Sequence, residues 1–368
     1  MSSEPVVPDY SGACISNIIP AILEHSSIGE GWIPDNVLNA KQVVLFLIDG
    51  LGYEQLMKSK AKGLIPNLSE LYLSRIHTVA PTTTATALTS LTTGRTPGEH
   101  GVIGYKIRVG SQVLNALRWT AGNGSAINEI NPSSFQPIKP FGNSNTTVIS
   151  PGEFQETGFT DAHLRGVNYR GYWLPSSIPF MIQESLSEGA KLVYAYYDGL
   201  DKIGHINGIY ELYDYEISFI DDLVGKMIDA LPKETALIVT ADHGMVNIGD
   251  SVRKLHKDIM EVTAEVSGEA RFLWLHSKRG AEAGLKEALV DLYSDEAWIC
   301  GRDQILDEGW FGKQVSEAAR NRLGDVAIVA REPVAFVPPS RMGPNLVARH
   351  GSLTVEESYV PIATMLRN

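Results

Sequence analysis

The stretch Val43-Val44-Leu45-Phe46-Leu47-Ile48-Asp49-Gly50 decides the fold of this chain. Six consecutive apolar residues, rich in β-branched and large side chains, run straight into an acid and a glycine. Such a run predicts a strand buried on both faces, the environment of a parallel sheet covered by helices. In open α/β sheets the working groups lie just past the carboxyl ends of the strands, which is where Asp49 stands. A carboxylate there needs compensation, from a solvated turn or from a cation.

The pattern repeats outward from that strand. Further strands are predicted at Ile76–Ala80, Lys191–Tyr197 and Ala236–Thr240. Helices are predicted from Pro66 through Leu73, over Ala85–Thr93 with Gly94 as its stop, near 177–187 and 210–230, and at the C-terminus over 356–366. Residues 1–40 read as an irregular lead-in. Residues 105–175 are rich in Asn, Ser, Gly and Pro and read as a lid-like insertion on the sheet's carboxyl edge. Residues 255–340 alternate strands and helices and read as a small α/β subdomain. The predicted fold is therefore α/β: a three-layer α/β/α sandwich with a mostly parallel central sheet, its core formed by 41–254 and 341–368.

Composition narrows the function. With 368 residues, 43% hydrophobic and 20% charged, the chain is ordinary for a globular protein. A net charge of −12 and no basic run argue against a nucleic-acid polymer as partner. No apolar run approaches the roughly 20 residues that span a membrane. The N-terminus shows no basic segment followed by an apolar core, so a soluble, cytoplasmic protein is expected. Two distant cysteines, Cys14 and Cys300, make neither a disulfide framework nor a C-x-x-C site.

Metal-type side chains recur at predicted strand ends. They are Asp49, then Asp201 and His205 four residues apart, then the adjacent pair Asp242-His243, and finally His350 in a late loop. Residues four apart share one face of a helical turn, whereas an adjacent pair diverges and can span two neighbouring sites. Three aspartates and three histidines make two ligand sets suited to zinc, with manganese or iron as the other candidates. Two such ions about 3.5–4 Å apart can clamp the attacking and leaving oxygens of a phosphoryl displacement. A nucleophile is available at Pro81-Thr82-Thr83-Thr84, where a loop opens a helix; a threonine hydroxyl needs a metal or a base to become reactive. The other histidines (His25, His77, His163, His256 and His276) are read as structural or solvent-exposed. His100 is read as shaping its loop.

These motifs together resemble the alkaline phosphatase superfamily, in its type I phosphodiesterase/nucleotide pyrophosphatase branch. The resemblance rests on LFLIDGLGYEQL (45–56), IPNLSEL (65–71), APTTTATALTSLTTGRTPGEHGVIGY (80–105), YYDGLDKIGH (196–205), LIVTADHGM (237–245) and ARHGS (348–352), in the family's order. It implies an alkaline-phosphatase-like fold and two divalent ions. One would be held by Asp49, Thr84, Asp242 and His243, the other by Asp201, His205 and His350. It further implies Thr84 as the nucleophile and a covalent phosphothreonine intermediate, with a small phosphorylated compound as substrate. Where many nucleotide pyrophosphatases carry an asparagine that binds a phosphoryl oxygen, this chain has Tyr105, whose hydroxyl can donate to the same oxygen. The substitution sets nucleotide diesters beside phosphomonoesters and phosphonates, such as phosphonoacetate, as substrate classes. Sulfatases need a C-x-P-x-R or S-x-P-x-R motif that is missing near 80–95. A non-catalytic phospho-ligand binder is disfavoured by the complete ligand set.

Overall fold

A computed structural model describes residues 4–24, 27–142, 144–339 and 345–368. The central sheet has seven strands, here labelled in chain order: β1 (Gln42–Ile48), β2 (Tyr72–His77), β3 (Thr147–Pro151), β4 (Asn168–Tyr172), β5 (Leu192–Tyr197), β6 (Thr235–Thr240) and β7 (Tyr359–Leu366). Their spatial order is β2-β7-β6-β1-β5-β3-β4. The pairs β6–β1, β1–β5, β5–β3 and β3–β4 are parallel, and β7 runs antiparallel to both of its neighbours. Strand β1 lies at the middle of this order. Val43 through Ile48 are all buried, so both faces of the strand are covered, as its unbroken apolar run requires.

Helices supply the covering layers. Glu211–Ala230 buries Ile217, Ile220, Leu223, Val224 and Met227, a stripe at helical spacing. Thr84–Thr93 is almost wholly buried, and Gly94 ends it in the left-handed conformation. The strands and helices share one large core. The architecture is the expected α/β sandwich with a mostly parallel sheet. Cys14 and Cys300 are buried free thiols. Among the described residues, no helix is long and apolar enough to cross a membrane.

Three local expectations are corrected. The C-terminal helix expected over 356–366 is a single turn, Val355–Ser358, followed by strand β7. Val360, Ile362 and Thr364 are buried there, and β-branched residues favour a packed strand over a helix. Pro361 falls one residue outside the register with β6, which starts at Thr240 opposite Ile362, so the β6 ladder loses no donor to it. The helix expected from Pro66 through Leu73 stops at Ser69, because Tyr72 already belongs to β2. That strand ends at His77, leaving Thr78 to Ala80 as the approach to the threonine loop. Finally, the 105–175 stretch divides in two. Residues 106–125 form a separate sheet of four short strands, whereas β3 and β4 belong to the central sheet.

Residues 255–340 contain an antiparallel sheet in the order Thr263–Glu269, Phe272–Ser277, Val326–Ala330, Ala297–Gly301. Its period-two alternation points two ways. Leu273 and Leu275 face a local core, while Phe272 and Trp274 join the main one. At the junction Arg271 donates from Nε and Nη2 to the two oxygens of Glu357, at 2.8 and 2.7 Å, with both side chains fully buried. Glu357 also accepts from the backbone of Ser352 and the hydroxyl of Thr354. This ties the small sheet to the loop that carries His350.

Candidate metal centre

Each ligand-type side chain is placed by a different element. Asp49 follows β1, and its backbone N–H donates to the carbonyl of Tyr197 at 2.8 Å. Gly50 comes next with φ +79°, and a Cβ there would meet Asp201 at 3.1 Å; a left-handed turn in so tight a space needs glycine. The Gly50 N–H donates to Asp242 Oδ1 at 3.0 Å, which joins the ends of the neighbouring strands β1 and β6. Asp242 and His243 follow β6 and are fully buried. Asp201 and His205 lie one turn apart on the Gly199–Asn207 helix, with Nε2 and Oδ1 3.4 Å apart. His350 stacks on His243 with ring centroids 3.6 Å apart.

The histidine tautomers follow from the backbone. The Nδ1 atoms of His205, His243 and His350 lie 2.8, 3.2 and 2.9 Å from the carbonyl oxygens of Ala348, Gly244 and Thr82. A carbonyl only accepts, so each Nδ1 carries the proton and each Nε2 keeps its lone pair. The Nε2 of His243 lies 3.4 Å from Asp49 Oδ1 and 3.3 Å from Asp242 Oδ2, while that of His350 lies 3.9 Å from Asp201 Oδ1. These three carboxylate oxygens are buried and have no hydrogen-bond donor. Burial, then the neighbouring Asp242 and Asp201 charges, pushes the Asp49 carboxyl well above the usual carboxylate range. Burial likewise raises Asp201 and Asp242 and lowers His243 and His350. Orphaned acceptors and bare lone pairs converging in a dry site fit divalent cations, which would supply the missing positive charge. Two groups of ligand atoms lie within 4.8 Å of one another: Asp49, Asp242 and His243, and Asp201, His243 and His350. His243 faces both, and His205 stands beside Asp201.

The threonine loop separates its three hydroxyls. Thr82 donates to the Ser352 carbonyl and accepts from Gly351 N–H. Thr83 stands near the buried Glu269 carboxyl of the small sheet. Thr84, first residue of its helix, lies with Oγ1 3.1 Å from His243 Nε2. Of the three it alone lines the cavity of about 260 Å³ that also exposes Asp49 and Asp201. Tyr105 stands just before the Lys106–Val109 strand, and its hydroxyl accepts from Asn115 Nδ2 at 2.7 Å. It is not part of that cavity wall. His100 is buried away from the cavity: its Nδ1 accepts from Val102 N–H and its Nε2 pairs with the Ser90 hydroxyl.

Several residues at the site gave no sequence signal of their own. The Tyr196 hydroxyl donates to Asp49 Oδ2, and Tyr194, two residues earlier on the same face of β5, lines the cavity. Their shared parity in a strand next to β1 was the available clue. Lys202 and Arg118 bring positive charge to the same wall, with Lys202 paired to Asp198 at 2.7 Å. His163 is buried and stacked on Phe159, in keeping with a structural reading, and it lines the cavity as well. His276 is a buried structural residue bonded to Ser267 and Arg108, and His25 lies outside the described residues.

A family profile described as type I phosphodiesterase/nucleotide pyrophosphatase matches residues 43–120 and 152–353. The chain belongs to that family. Family membership agrees with a phosphoryl hydrolase of the metalloenzyme type. No curated protein sequence matches the chain. Among solved structures, murine ectonucleotide pyrophosphatase/phosphodiesterase 5 is similar at TM-score 0.66 and 19% identity, over 88% of this chain and 87% of that one. Human ectonucleotide pyrophosphatase/phosphodiesterase 5 gives 0.65 and 18%, with the same coverages. Phosphonoacetate hydrolase from Sinorhizobium meliloti 1021, solved with phosphonoacetate, gives 0.65 and 14% over 88% and 90% of the two chains. At these identities the likeness speaks for the fold.

Proposed function

We propose that this protein hydrolyses phosphate diesters or pyrophosphates at a site of two divalent ions, zinc first among the candidates, through a phosphothreonine on Thr84. The observation that carries this is the Thr84 hydroxyl, 3.1 Å from His243 Nε2 in a cavity wall shared with Asp49 and Asp201. One ion would be held by Asp49, Thr84, Asp242 and His243, and the other by Asp201, His205 and His350. Bound there, such ions would lower the hydroxyl pKa and neutralise the anionic substrate. Thr84 Oγ1 attacks phosphorus as the bond to the leaving oxygen breaks, and water then cleaves the Oγ1–P bond and restores the threonine. The N–H groups opening the Thr84–Thr93 helix face the same anion favourably. Tyr105 lies outside that cavity wall; its hydroxyl accepts from Asn115 and keeps its own proton, so it could reach a phosphoryl oxygen only at the cavity's edge.

A second reading, a phosphomonoesterase or phosphonate hydrolase of the phosphonoacetate type, draws on Arg118 and Lys202 in the cavity wall. Two cations there suit a substrate with a further anionic group. Turnover of bis-p-nitrophenyl phosphate, p-nitrophenyl phosphate, a nucleotide pyrophosphate and phosphonoacetate, with zinc or manganese added, separates the two. Preference for the diester or pyrophosphate supports the first reading, preference for the monoester or phosphonate supports the second, and no turnover of any of the four with either metal sinks both.

A further inference from the structure

One wall of the cavity is formed by the Gly158–Leu164 helix, and His163 on it is only 4% exposed. Its Nδ1 lies 2.6 Å from the carbonyl oxygen of Phe159, one turn earlier. The carbonyl accepts, so Nδ1 carries the proton and Nε2 the lone pair. The ring also stacks on Phe159, with centroids 4.0 Å apart and planes 20° apart. Burial holds the imidazole neutral, with its pKa down at about 4. Two contacts therefore fix both its orientation and its tautomer. Among the described residues nothing hydrogen-bonds Nε2.

The wall it shares is mixed: Leu88, Leu117, Phe154 and Leu164 give it apolar surface, and Arg118, Asp198 and Lys202 give it charge. An acceptor held at a fixed place in a cavity wall is available to a donor on whatever the cavity binds. None of the ligand-type residues is near His163 in the chain, and the phosphoryl chemistry proposed above makes no use of it. Tyr194 in the same wall has a buried hydroxyl that also lacks a partner, so the unsatisfied polarity includes a donor as well.

We propose that His163 is a specificity-determining residue whose Nε2 accepts a hydrogen bond from an N–H or O–H on the organic part of the substrate. The cavity thereby selects phosphoryl compounds with a largely apolar body bearing a polar donor over pure hydrocarbon esters. This rests on the reading of the cavity as the phosphoryl substrate's site, and it assigns that substrate's organic half.

The test is calorimetric binding of AMP, which carries amino and hydroxyl donors, and of phenyl phosphate, which carries none on its ring. It uses the zinc-loaded full chain with Thr84→Ala to prevent turnover. Adding His163→Phe, which keeps the stacked ring and removes the acceptor, should lower the ratio of AMP to phenyl phosphate affinity about tenfold. His163→Gln, which restores an acceptor, should recover much of that ratio. Should His163→Phe fail to melt cooperatively, His163→Met replaces it under the same expectation. An unchanged ratio overturns the proposal, as does failure of both ligands to bind before His163 is altered. If the selectivity follows His163 while the unaltered Thr84 chain hydrolyses no phosphoryl substrate, the hydrolase reading falls and this one stands.

Discussion

The two ligand groups of the candidate metal centre are built differently. Asp49, Asp242 and His243 are buried and stand at the ends of β1 and β6, whose register runs from Gln42–Thr235 to Leu47–Thr240. Their spacing is fixed by backbone pairing and closed by the Gly50–Asp242 hydrogen bond. Asp201, His205 and His350 are partly open and come from a nine-residue helix and a C-terminal loop. Those two segments meet through Val347 N–H donating to the His205 carbonyl and His205 Nδ1–H donating to the Ala348 carbonyl. A parallel sheet places the first half wherever the strands pair, while the second half exists only once distant segments have docked. The half beside Thr84, the proposed nucleophile, is thus the one fixed by strand pairing, as positioning a reactive oxygen demands.

Substitution on the sheet-built half should have the larger effect. Thr84→Ala should lower turnover by at least about 10⁴-fold with metal still bound, measured with the substrate above that turns over best. Turnover surviving within tenfold would remove Thr84 from the nucleophile role. Metal analysis separates the halves further. His243 is proposed for the first ion and also faces the second group, so His243→Ala should deplete the first ion and weaken the second, whereas His205→Ala should deplete only the second. Equal depletion by the two variants would show that the halves do not bind independently.

A smaller effect is expected behind the ligands. Tyr196 donates to Asp49, and partners of this kind typically contribute about 10–100-fold to metal affinity or activity. Tyr196→Phe removes that hydroxyl and keeps the packing ring. Zinc titration should show weaker binding of one ion, and a variant that binds both ions as tightly as the parent would reduce Tyr196 to a packing residue. At the Arg271–Glu357 pair the expected loss is in stability. Arg271→Ala leaves a buried carboxylate without its cation, which costs roughly 3–5 kcal/mol. Denaturant unfolding checks this, and a loss under about 1 kcal/mol would mean that water reaches Glu357.

What the sequence made legible follows the same division. Asp49 and Asp242-His243 could be picked out because a strand buried on both faces writes itself as an apolar run, and the group after it stands at the sheet edge. The Asp201–His205 spacing was legible as one helical face. Tyr196 was not, because its contact with Asp49 depends on β5 lying beside β1 with Leu47 opposite Tyr196, and no local pattern states a neighbour. Glu269 and His163 escaped for the same reason: each reaches the site from a segment whose docking is tertiary. Strand β7 was misread because Val355-Glu356-Glu357-Ser358 does open as a helical turn, and only pairing on both sides makes the following residues a strand. Within 105–175, polar loops around β3 and β4 hid two strands of the main sheet.

Acid titration gives the last and smallest contrast, between the centre and the histidines outside it. Burial, reinforced at His100 by the Arg322 charge, holds His100 at about 3, and burial, opposed in part by the hydrogen bond to the Phe159 carbonyl, holds His163 at about 4. In the unfolded chain each takes up a proton near pH 6.5. Between those values the unfolded state binds more protons, so stability is present above about 6.5 and is lost as pH falls. Each such histidine contributes a slope of roughly 1.4 kcal/mol per pH unit where it is fully engaged. The apo centre works in the opposite sense: Asp49, Asp201 and Asp242 have raised carboxyl pKa values, so the folded state binds more protons there and acid relieves their repulsion. Bound cations would cancel that relief by keeping the carboxylates charged. The metal-loaded chain should therefore lose stability more steeply between pH 6 and 4.5 than the chelated chain, by denaturant midpoints at each pH. His163→Phe should flatten both curves by about 1 kcal/mol per pH unit, and an unchanged slope would mean that this imidazole takes up its proton alike in the folded and unfolded chains.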